Sequence, residues 1–196
     1  MALFAANCPR EYHIIEKKED YNMKTIVVYK TKYGSAKTYA QWIGEELSCK
    51  VSDVKNITVE ELETYDNIIY GGGLYAEVIN GLSIITKNLD KFKNKKIAIY
   101  TTGITPIDCR EYYDKLVIEK NFKNGLPQEI KLFNFTGKMI IEELSVVHRM
   151  ALKSLKKIML AKKNPTSMEK LLVELCDADG DFCDRDQISG LIDYIK

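Results

Sequence analysis

Residues 25–38 read TIVVYKTKYGSAKT, a run of β-branched residues that passes directly into a polar segment. The apolar run at 26–29 is typical of a strand that is buried on both faces. In residues 36–48, Ala36, Ala40 and Ile43 then recur at helical spacing on one face. This order predicts a strand that enters a helix through a short loop at 30–37.

The same alternation of strand and helix continues along the chain. We expect strands at 26–29, 51–54, 67–70, 96–100 and 130–135, and helices at 36–48, 81–91, 108–121 and near the C-terminus. Such alternation predicts an α/β fold, a three-layer open sandwich around a five-stranded parallel sheet. Ligands of these sheets bind beyond the carboxyl ends of the strands. We therefore expect the functional site at loops 30–37, 71–77 and 101–107.

Composition excludes several classes of protein. The chain has 196 residues, is 45% hydrophobic and 29% charged, and carries a formal net charge of +1. A charge so close to zero argues against a strongly basic nucleic-acid binder, and we expect no nucleic-acid partner. No apolar run reaches the roughly 20 residues that a membrane-spanning helix needs.

Residues 23–196 are expected to form one domain, preceded at 1–22 by a leader or extension; the alternative for 1–22 is a short docking helix.

The five cysteines form no CxxC pair, and no histidine completes a metal-binding set with them. An odd number of cysteines in a chain of this length indicates mostly buried thiols in a reducing compartment. We expect a cytoplasmic protein without a metal site.

The loop after the first strand has the composition of a phosphate site. Amide groups at a helix start are unpaired and carry the positive end of the helix dipole, so that they suit an anion. Thr31, Ser35 and Thr38 add hydroxyl groups, and Gly34 permits close approach. The alternative is an ordinary helix-capping loop. A nucleotide P-loop is excluded because Thr31 and Ala36 stand where its two glycines are required.

The pattern of this segment resembles the flavodoxin signature. Tyr29, Thr31, Gly34, Ala40 and Ile43 fall in order on its aromatic, hydroxyl, small, alanine and aliphatic positions. The resemblance implies flavodoxin-like topology and FMN as cofactor. Ala36 departs from the pattern because it replaces a threonine, which removes one neutral hydrogen bond worth on the order of 1 kcal/mol. A fold-only protein that no longer binds flavin is therefore an alternative.

The resemblance also implies which residues bind FMN. The phosphate would lie on the first loop, and the flavin ring would lie on the second and third loops, where Tyr75 is a candidate stacking partner. The implied cofactor-binding residues are Thr31, Lys32, Tyr33, Gly34, Ser35, Ala36, Lys37, Gly72, Gly73, Leu74, Tyr75, Thr101, Thr102 and Gly103.

Residues 23–25, 65–66 and 71–76 resemble the flavodoxin-domain group that includes menaquinone-dependent protoporphyrinogen IX oxidase. This implies an FMN-dependent oxidoreductase with a redox partner protein or quinone and a porphyrin-type substrate. The alternative is an electron-transfer flavodoxin with no substrate of its own. Carrier flavodoxins are typically acidic, because negative charge steers them to basic partners, whereas this chain is nearly neutral. No side chain is assigned as catalytic acid, base or nucleophile.

Residues 144–163 predict a basic amphipathic helix. Its apolar stripe is Leu144, Val147, Ala151, Leu155 and Ile158, and its basic side is Arg149, Lys153, Lys156 and Lys157. Such a helix can make a peripheral contact with an anionic membrane, or its basic side can meet the propionates of a porphyrin. The alternative is a helix that packs on the sheet and exposes its lysines to water.

Overall fold

The computed structural model describes residues 23–196; the predicted leader at 1–22 lies outside the described residues. The strands are β1 (Thr25–Lys30), β2 (Lys50–Asp53), β3 (Asn67–Tyr75), β4 (Val78–Ile79), β5 (Lys96–Gly103), β6 (Ile130–Thr136), β7 (Lys138–Met139) and β8 (Gly180–Asp181). The α-helices are α1 (Ser35–Glu46), α2 (Val59–Leu62), α3 (Ser83–Thr86), α4 (Ile118–Asn121), α5 (Val146–Leu160), α6 (Ser167–Leu175) and α7 (Ser189–Ile195).

Five parallel strands form the central sheet in the order β2-β1-β3-β5-β6. Successive side chains of β1 point to opposite faces, so that Val27 joins the core beneath α1 and α7 while Ile26 and Val28 join the core on the other side. Both cores are closed by helices. The predicted three-layer α/β sandwich with a five-stranded parallel sheet of flavodoxin-like topology is confirmed.

Strands β3 and β5 are longer than predicted. The expected end of β3 at residue 70 is wrong, because Gly71 pairs with Tyr29 and Gly73 pairs with Thr102 within the sheet. The absence of a side chain at Gly71 is required by the neighbouring strand, since a Cβ there would lie 1.9 Å from the Tyr100 ring. Thr101, Thr102 and Gly103 likewise belong to β5 rather than to a loop.

The predicted helix at 81–91 is mostly wrong. Only α3 is helical there, although Leu82 and Ile85 are buried as expected. The Asn88 side chain donates a hydrogen bond to the Ile84 carbonyl, at 2.9 Å, and this local bond competes with continued helix formation. The predicted helix at 108–121 is present as a π-helical segment, Glu111–Val117, followed by α4.

Helices α5 and α6 form a hairpin that projects from the end of the sheet. The antiparallel pair β7 and β8 forms its base, and the 3₁₀ turn Ile141–Glu143 leads into α5. The sequence analysis missed α6, although Thr166 and Glu169 form a complete capping box at its start. We call residues 140–179 the helical hairpin.

The predicted apolar stripe of α5 has two different surroundings. Leu144 is buried and Leu155 is half-buried, but Val147 is 72% exposed and Ile158 is also exposed. The difference arises because α5 packs on α6 and on the site rather than on the sheet. Within residues 23–196, no helix is both long and apolar enough to cross a bilayer.

The C-terminal helix returns the chain to the sheet. Asp184 caps the 3₁₀ turn Arg185–Ile188, because its side chain accepts a hydrogen bond from the Asp186 amide, at 3.0 Å. Ile188, Leu191, Ile192 and Ile195 are buried beside α1, as expected from their spacing.

Candidate functional site

A cavity of about 630 Å³ lies at the carboxyl ends of β1, β3 and β5, beneath the helical hairpin. This volume falls in the range typical of small-molecule and cofactor sites. The position is the one expected for an open parallel sheet, beyond the strand ends.

The first wall is the loop between β1 and α1. The Gly34 amide donates to Thr31 Oγ1, at 2.9 Å, and Gly34 adopts a φ of +99°, which favours glycine. No side chain caps α1, and its first turn contains no acidic residue. The first amides of α1 are therefore available to an anion. We call residues 31–35 the cradle.

Two residues after β6 complete the cradle. The Lys138 amide donates to Ser35 Oγ, at 2.9 Å, and the Lys138 Cε atom lies 3.6 Å from the place of a Cβ on Gly34. A Cβ on Gly137 would lie 3.2 Å from Ser35 Oγ and 3.3 Å from the Gly103 amide. Gly137 thus keeps open the space between the cradle, which follows β1, and the end of β5. The Lys138 side chain brings a positive charge next to the cradle.

The second wall is the tip of the β3–β4 hairpin. Ala76 and Glu77 both have positive φ, of 47° and 64°, which matches a two-residue turn of the primed type. Neither residue is a glycine, so the turn stores backbone strain next to the cavity. Tyr75 lies directly before it, and burial raises the pKa of its phenol to about 12.

The third wall is the end of β5 and the segment that follows it. Thr102 and Gly103 line the cavity together with Ile104 and Thr105. The Tyr113 hydroxyl donates to the Thr105 carbonyl, at 2.8 Å, and so connects this segment to the helix behind it. Two threonines and the backbone of Gly103 therefore line the cavity here.

The helical hairpin is the roof of the cavity, and its inner surface is almost entirely apolar. The cavity-lining residues of the roof are Leu144, His148, Ala151, Leu152, Leu155, Leu172, Leu175 and Cys176. Burial raises the pKa of the Cys176 thiol, so that the neutral, weakly reactive form is favoured. The roof thus opposes the polar cradle with a hydrophobic surface.

One polar cluster ties the roof to the cradle. His148 Nδ1 lies 2.7 Å from the Tyr33 hydroxyl oxygen, and His148 Nε2 lies 3.3 Å from Lys32 Nζ. The Ser145 amide also donates to the Tyr33 oxygen, at 3.3 Å. The rings of Tyr33, Tyr75 and His148 pack together, with centroids 5.5–6.3 Å apart. We call this cluster the latch.

The structure gathers part of the predicted site around this cavity. The predicted residues that line it are Thr31, Tyr33, Ser35, Gly73, Leu74, Tyr75, Thr102 and Gly103. The remaining six, Lys32, Gly34, Ala36, Lys37, Gly72 and Thr101, do not line it.

These six residues have other surroundings. Ala36 packs in the core, and its carbonyl accepts the Tyr100 hydroxyl, at 2.7 Å. Thr101 is buried and donates to Asn134. A Cβ on Gly72 would meet Ile79 of β4, at 2.7 Å. Lys37 is exposed on α1, and Lys32 and Gly34 shape the cradle from outside the lining.

The sequence patterns predict α5 but do not reveal the fourth strand end, α6 or the packing of the two helices over the cavity. The signal at the strand end was a glycine and a lysine, Gly137 and Lys138, directly after β6. The signal for the roof was the capping pair of α6 together with leucines at helical spacing.

Comparisons with known proteins agree with this geometry. The family model described as Flavodoxin domain matches residues 26–167, which is most of the chain. No curated protein sequence matches the chain.

Among solved structures, the fold is similar to three flavodoxins. Oxidised Flavodoxin 2 from Bacillus cereus is 19% identical, with 57% of this chain and 84% of that chain covered and a TM-score of 0.35. A flavodoxin from the domain Archaea is 17% identical, with 79% and 97% covered and a TM-score of 0.40. A lysine-to-glycine mutant of Fusobacterium nucleatum flavodoxin, bound to flavin mononucleotide, is 22% identical, with 59% and 71% covered and a TM-score of 0.36. On the extent of the family match, the chain belongs to the flavodoxin domain family.

Proposed function

We propose that this protein is an FMN-dependent oxidoreductase that acts on a small, largely apolar molecule held beneath the helical hairpin. FMN is the cofactor that the flavodoxin domain supports. The solved Fusobacterium nucleatum flavodoxin to which the fold is similar is itself bound to flavin mononucleotide.

The residues of the cavity fit FMN. A phosphate needs hydrogen-bond donors and positive charge, and the cradle supplies uncapped amides of α1 and the Ser35 hydroxyl. The Lys138 cation lies nearby, in an ion pair with Glu143 at 3.0 Å. Gly34 provides the positive φ of the cradle, and a Cβ on Gly137 would crowd Ser35 Oγ, at 3.2 Å. A flavin ring needs flat, largely apolar walls, which Leu74, Tyr75 and Gly103 offer.

In this proposal the chain's own residues bind, orient and shield the cofactor. Thr31 holds the cradle in shape through its bond to the Gly34 amide, and Tyr75 flanks the ring. When bound, FMN supplies one- and two-electron chemistry. The apolar roof would limit the access of water to the bound cofactor.

One observation carries the choice between enzyme and carrier. Four leucines of the roof, Leu152, Leu155, Leu172 and Leu175, face the cavity. If FMN binds in this cavity, these leucines would leave its ring accessible to a small molecule and would shield it from direct contact with a partner protein. An apolar roof also matches an apolar substrate or acceptor.

The resemblance to the protoporphyrinogen oxidase group makes the proposal more concrete. Its substrate class would be a porphyrinogen, and its electron acceptor would be a quinone. Both are mostly apolar small molecules, which suits the inner surface of the roof.

The test is oxidation of protoporphyrinogen with a soluble menaquinone analogue, measured for the FMN-loaded protein, Leu155→Asn and Leu160→Asn. Leu155 lines the cavity, whereas Leu160 is exposed on the same helix. We expect turnover by the unmodified protein, a KM raised about tenfold or more in Leu155→Asn, and no change in Leu160→Asn.

An electron carrier would give a different result. It would accept electrons from a flavodoxin reductase and pass them to cytochrome c without any porphyrinogen turnover, and Leu155→Asn would behave as the unmodified protein. That outcome would show that the protein is an electron carrier rather than an enzyme.

A further inference from the structure

The outer surface of α5 carries two adjacent stripes of opposite chemistry. With about 100° of rotation per residue, Val147, Met150 and Ile158 share a sector of about 80°. Arg149, Lys153 and Lys157 share the neighbouring sector, also about 80° wide. All six side chains are exposed. We call them the apolar stripe and the basic stripe of α5.

The basic stripe lies opposite the surface of α5 that faces the cavity, and the apolar stripe lies between the two. His148, Leu152 and Leu155 occupy the sector that roofs the site. No residue of α5 is buried, and no residue of α5 is acidic. The stripes therefore have no partner among the described residues, and their positive charge is not compensated on the helix itself.

The ion pairs of the hairpin leave the basic stripe free. Lys156 pairs with Asp177, and Lys162 pairs with Glu169. Among residues 23–196, no carboxylate forms an ion pair with Arg149, Lys153 or Lys157. The exposed Lys163 continues the positive surface just beyond the helix.

We propose that the outer face of α5 binds the surface of an anionic lipid bilayer, with the helix parallel to the membrane plane. The apolar stripe would enter the boundary between headgroups and acyl chains, while the basic stripe contacts anionic headgroups. A lipid surface fits better than an acidic protein for two reasons. The stripes are on a convex helix rather than in a groove, and they contain no aromatic residue of the kind that dominates protein interfaces.

The inference does not depend on the proposed reaction, because it concerns the outside of the hairpin. If both proposals hold, the reaction takes place at the membrane surface, since the roof of the cavity and the membrane-facing surface belong to the same helix. An apolar substrate dissolved in the bilayer would then be present next to the roof.

The test is co-sedimentation of the full chain with vesicles of pure phosphatidylcholine and of phosphatidylcholine with 30% phosphatidylglycerol. The first variant combines Arg149→Gln, Lys153→Gln and Lys157→Gln. Its control, Lys55→Gln with Lys87→Gln and Lys93→Gln, removes the same charge from exposed residues elsewhere. A third variant, Val147→Gln with Met150→Gln and Ile158→Gln, removes the apolar stripe.

We expect binding to the anionic vesicles only. Each basic residue near such a surface contributes about fivefold, so that the first variant loses on the order of 100-fold in partitioning while its control retains most of the binding. The apolar-stripe variant also loses binding, and added salt weakens what remains.

Three results would overturn the inference. These are no binding to anionic vesicles, equal binding to neutral ones, or unchanged binding of the basic-stripe variant. Concentration-dependent dimers that disappear in the apolar-stripe variant, without vesicle binding, would assign the surface to a second copy of the chain. All substituted side chains are exposed, and circular dichroism with retained FMN binding checks that the variants fold.

Discussion

The Tyr33 hydroxyl and His148 Nδ1 lie 2.7 Å apart and join the cradle to the roof. Because a lysine ammonium only donates, Lys32 Nζ donates to His148 Nε2, and the neutral ring then carries its proton on Nδ1 and donates to the Tyr33 oxygen. Burial and the charge of Lys32 lower the pKa of His148 from its usual 6.5. Burial alone would raise the pKa of Tyr33. The hydrogen bonds with Ser145 and the charge of Lys32 outweigh burial, so that the pKa of Tyr33 is lowered overall.

The latch is expected to weaken in acid. Since the pKa of His148 is lower in the folded state than in the unfolded state, the folded state binds fewer protons between those two values, and stability falls as the pH falls through that window. Protonated His148 would face Lys32 with a second positive charge. Relative to the intrinsic exchange rate at each pH, amide hydrogen exchange in α5 should therefore accelerate below about pH 6.5, while exchange in β1 stays slow.

Two variants test the role of His148. In His148→Gln, the acceleration of exchange in α5 with acid should disappear because the side chain no longer titrates. In His13→Gln, which changes the other histidine of the chain, it should persist. Equal acceleration in both variants would show that another group opens the hairpin.

The close packing of Tyr100 against Gly71 predicts that a methyl group added at position 71 destabilises the protein. In Gly71→Ala, the new Cβ would lie 1.9 Å from the Tyr100 ring, which is fully buried and hydrogen-bonded to Ala36. Overpacking of this kind lowers the free energy of unfolding by about 1–3 kcal/mol. Urea denaturation measures the change.

Gly190→Ala is the matched control, because its Cβ has no neighbour closer than 4.0 Å and Gly190 lies in α7. This substitution should raise the free energy of unfolding by a few tenths of a kcal/mol to about 1 kcal/mol, as expected for alanine in a helix. If Gly71→Ala were equally harmless, Tyr100 would not constrain position 71.

The strained turn at the tip of the β3–β4 hairpin predicts a stabilising substitution. Glu77 has a φ of 64°, and a non-glycine residue in this region costs about 1–2 kcal/mol. The greater conformational entropy of glycine in the unfolded chain offsets part of this gain. Glu77→Gly should still raise the free energy of unfolding by up to about 1 kcal/mol. Thermal and urea denaturation check the direction.

Glu119→Gly provides the comparison, since Glu119 is exposed in α4 with a helical backbone. There the substitution should lower the free energy of unfolding by about 1 kcal/mol. A loss of stability in both variants would mean that the backbone at residue 77 is not strained.

Local patterns predicted the sheet well because each strand is an apolar run between polar segments. They placed the end of β3 too early because Gly71–Gly73 have the composition of a turn, and only the ring of Tyr100, on a neighbouring strand, explains glycine within a strand. The helix predicted at 81–91 failed for a similar reason. Asn88 bonds back to Ile84, which a pattern of apolar spacing does not reveal.

The candidate site was predicted where it depends on strand order, and missed where it depends on tertiary packing. Thr31, Ser35 and Tyr75 follow strands that meet at one edge of the sheet, so the topology alone brings them together. The contacts of His148 with Lys32 and Tyr33 span more than 100 residues, so that no local pattern reveals them. Leu172 and Leu175 belong to a helix that was not predicted.

Binding of FMN to the cradle is the central claim, and a titration of FMN fluorescence with Gly34→Ala and Gly125→Ala tests it most directly. Both glycines have positive φ, of 99° and 79°, so both substitutions strain the backbone by a similar amount. Only Gly34 lies in the cradle; a Cβ on Gly125 would meet nothing within 4 Å. We predict one FMN per chain, an affinity at least about tenfold lower for Gly34→Ala, and unchanged affinity for Gly125→Ala. No binding by the unmodified protein, or equal losses in the two variants, would contradict the account.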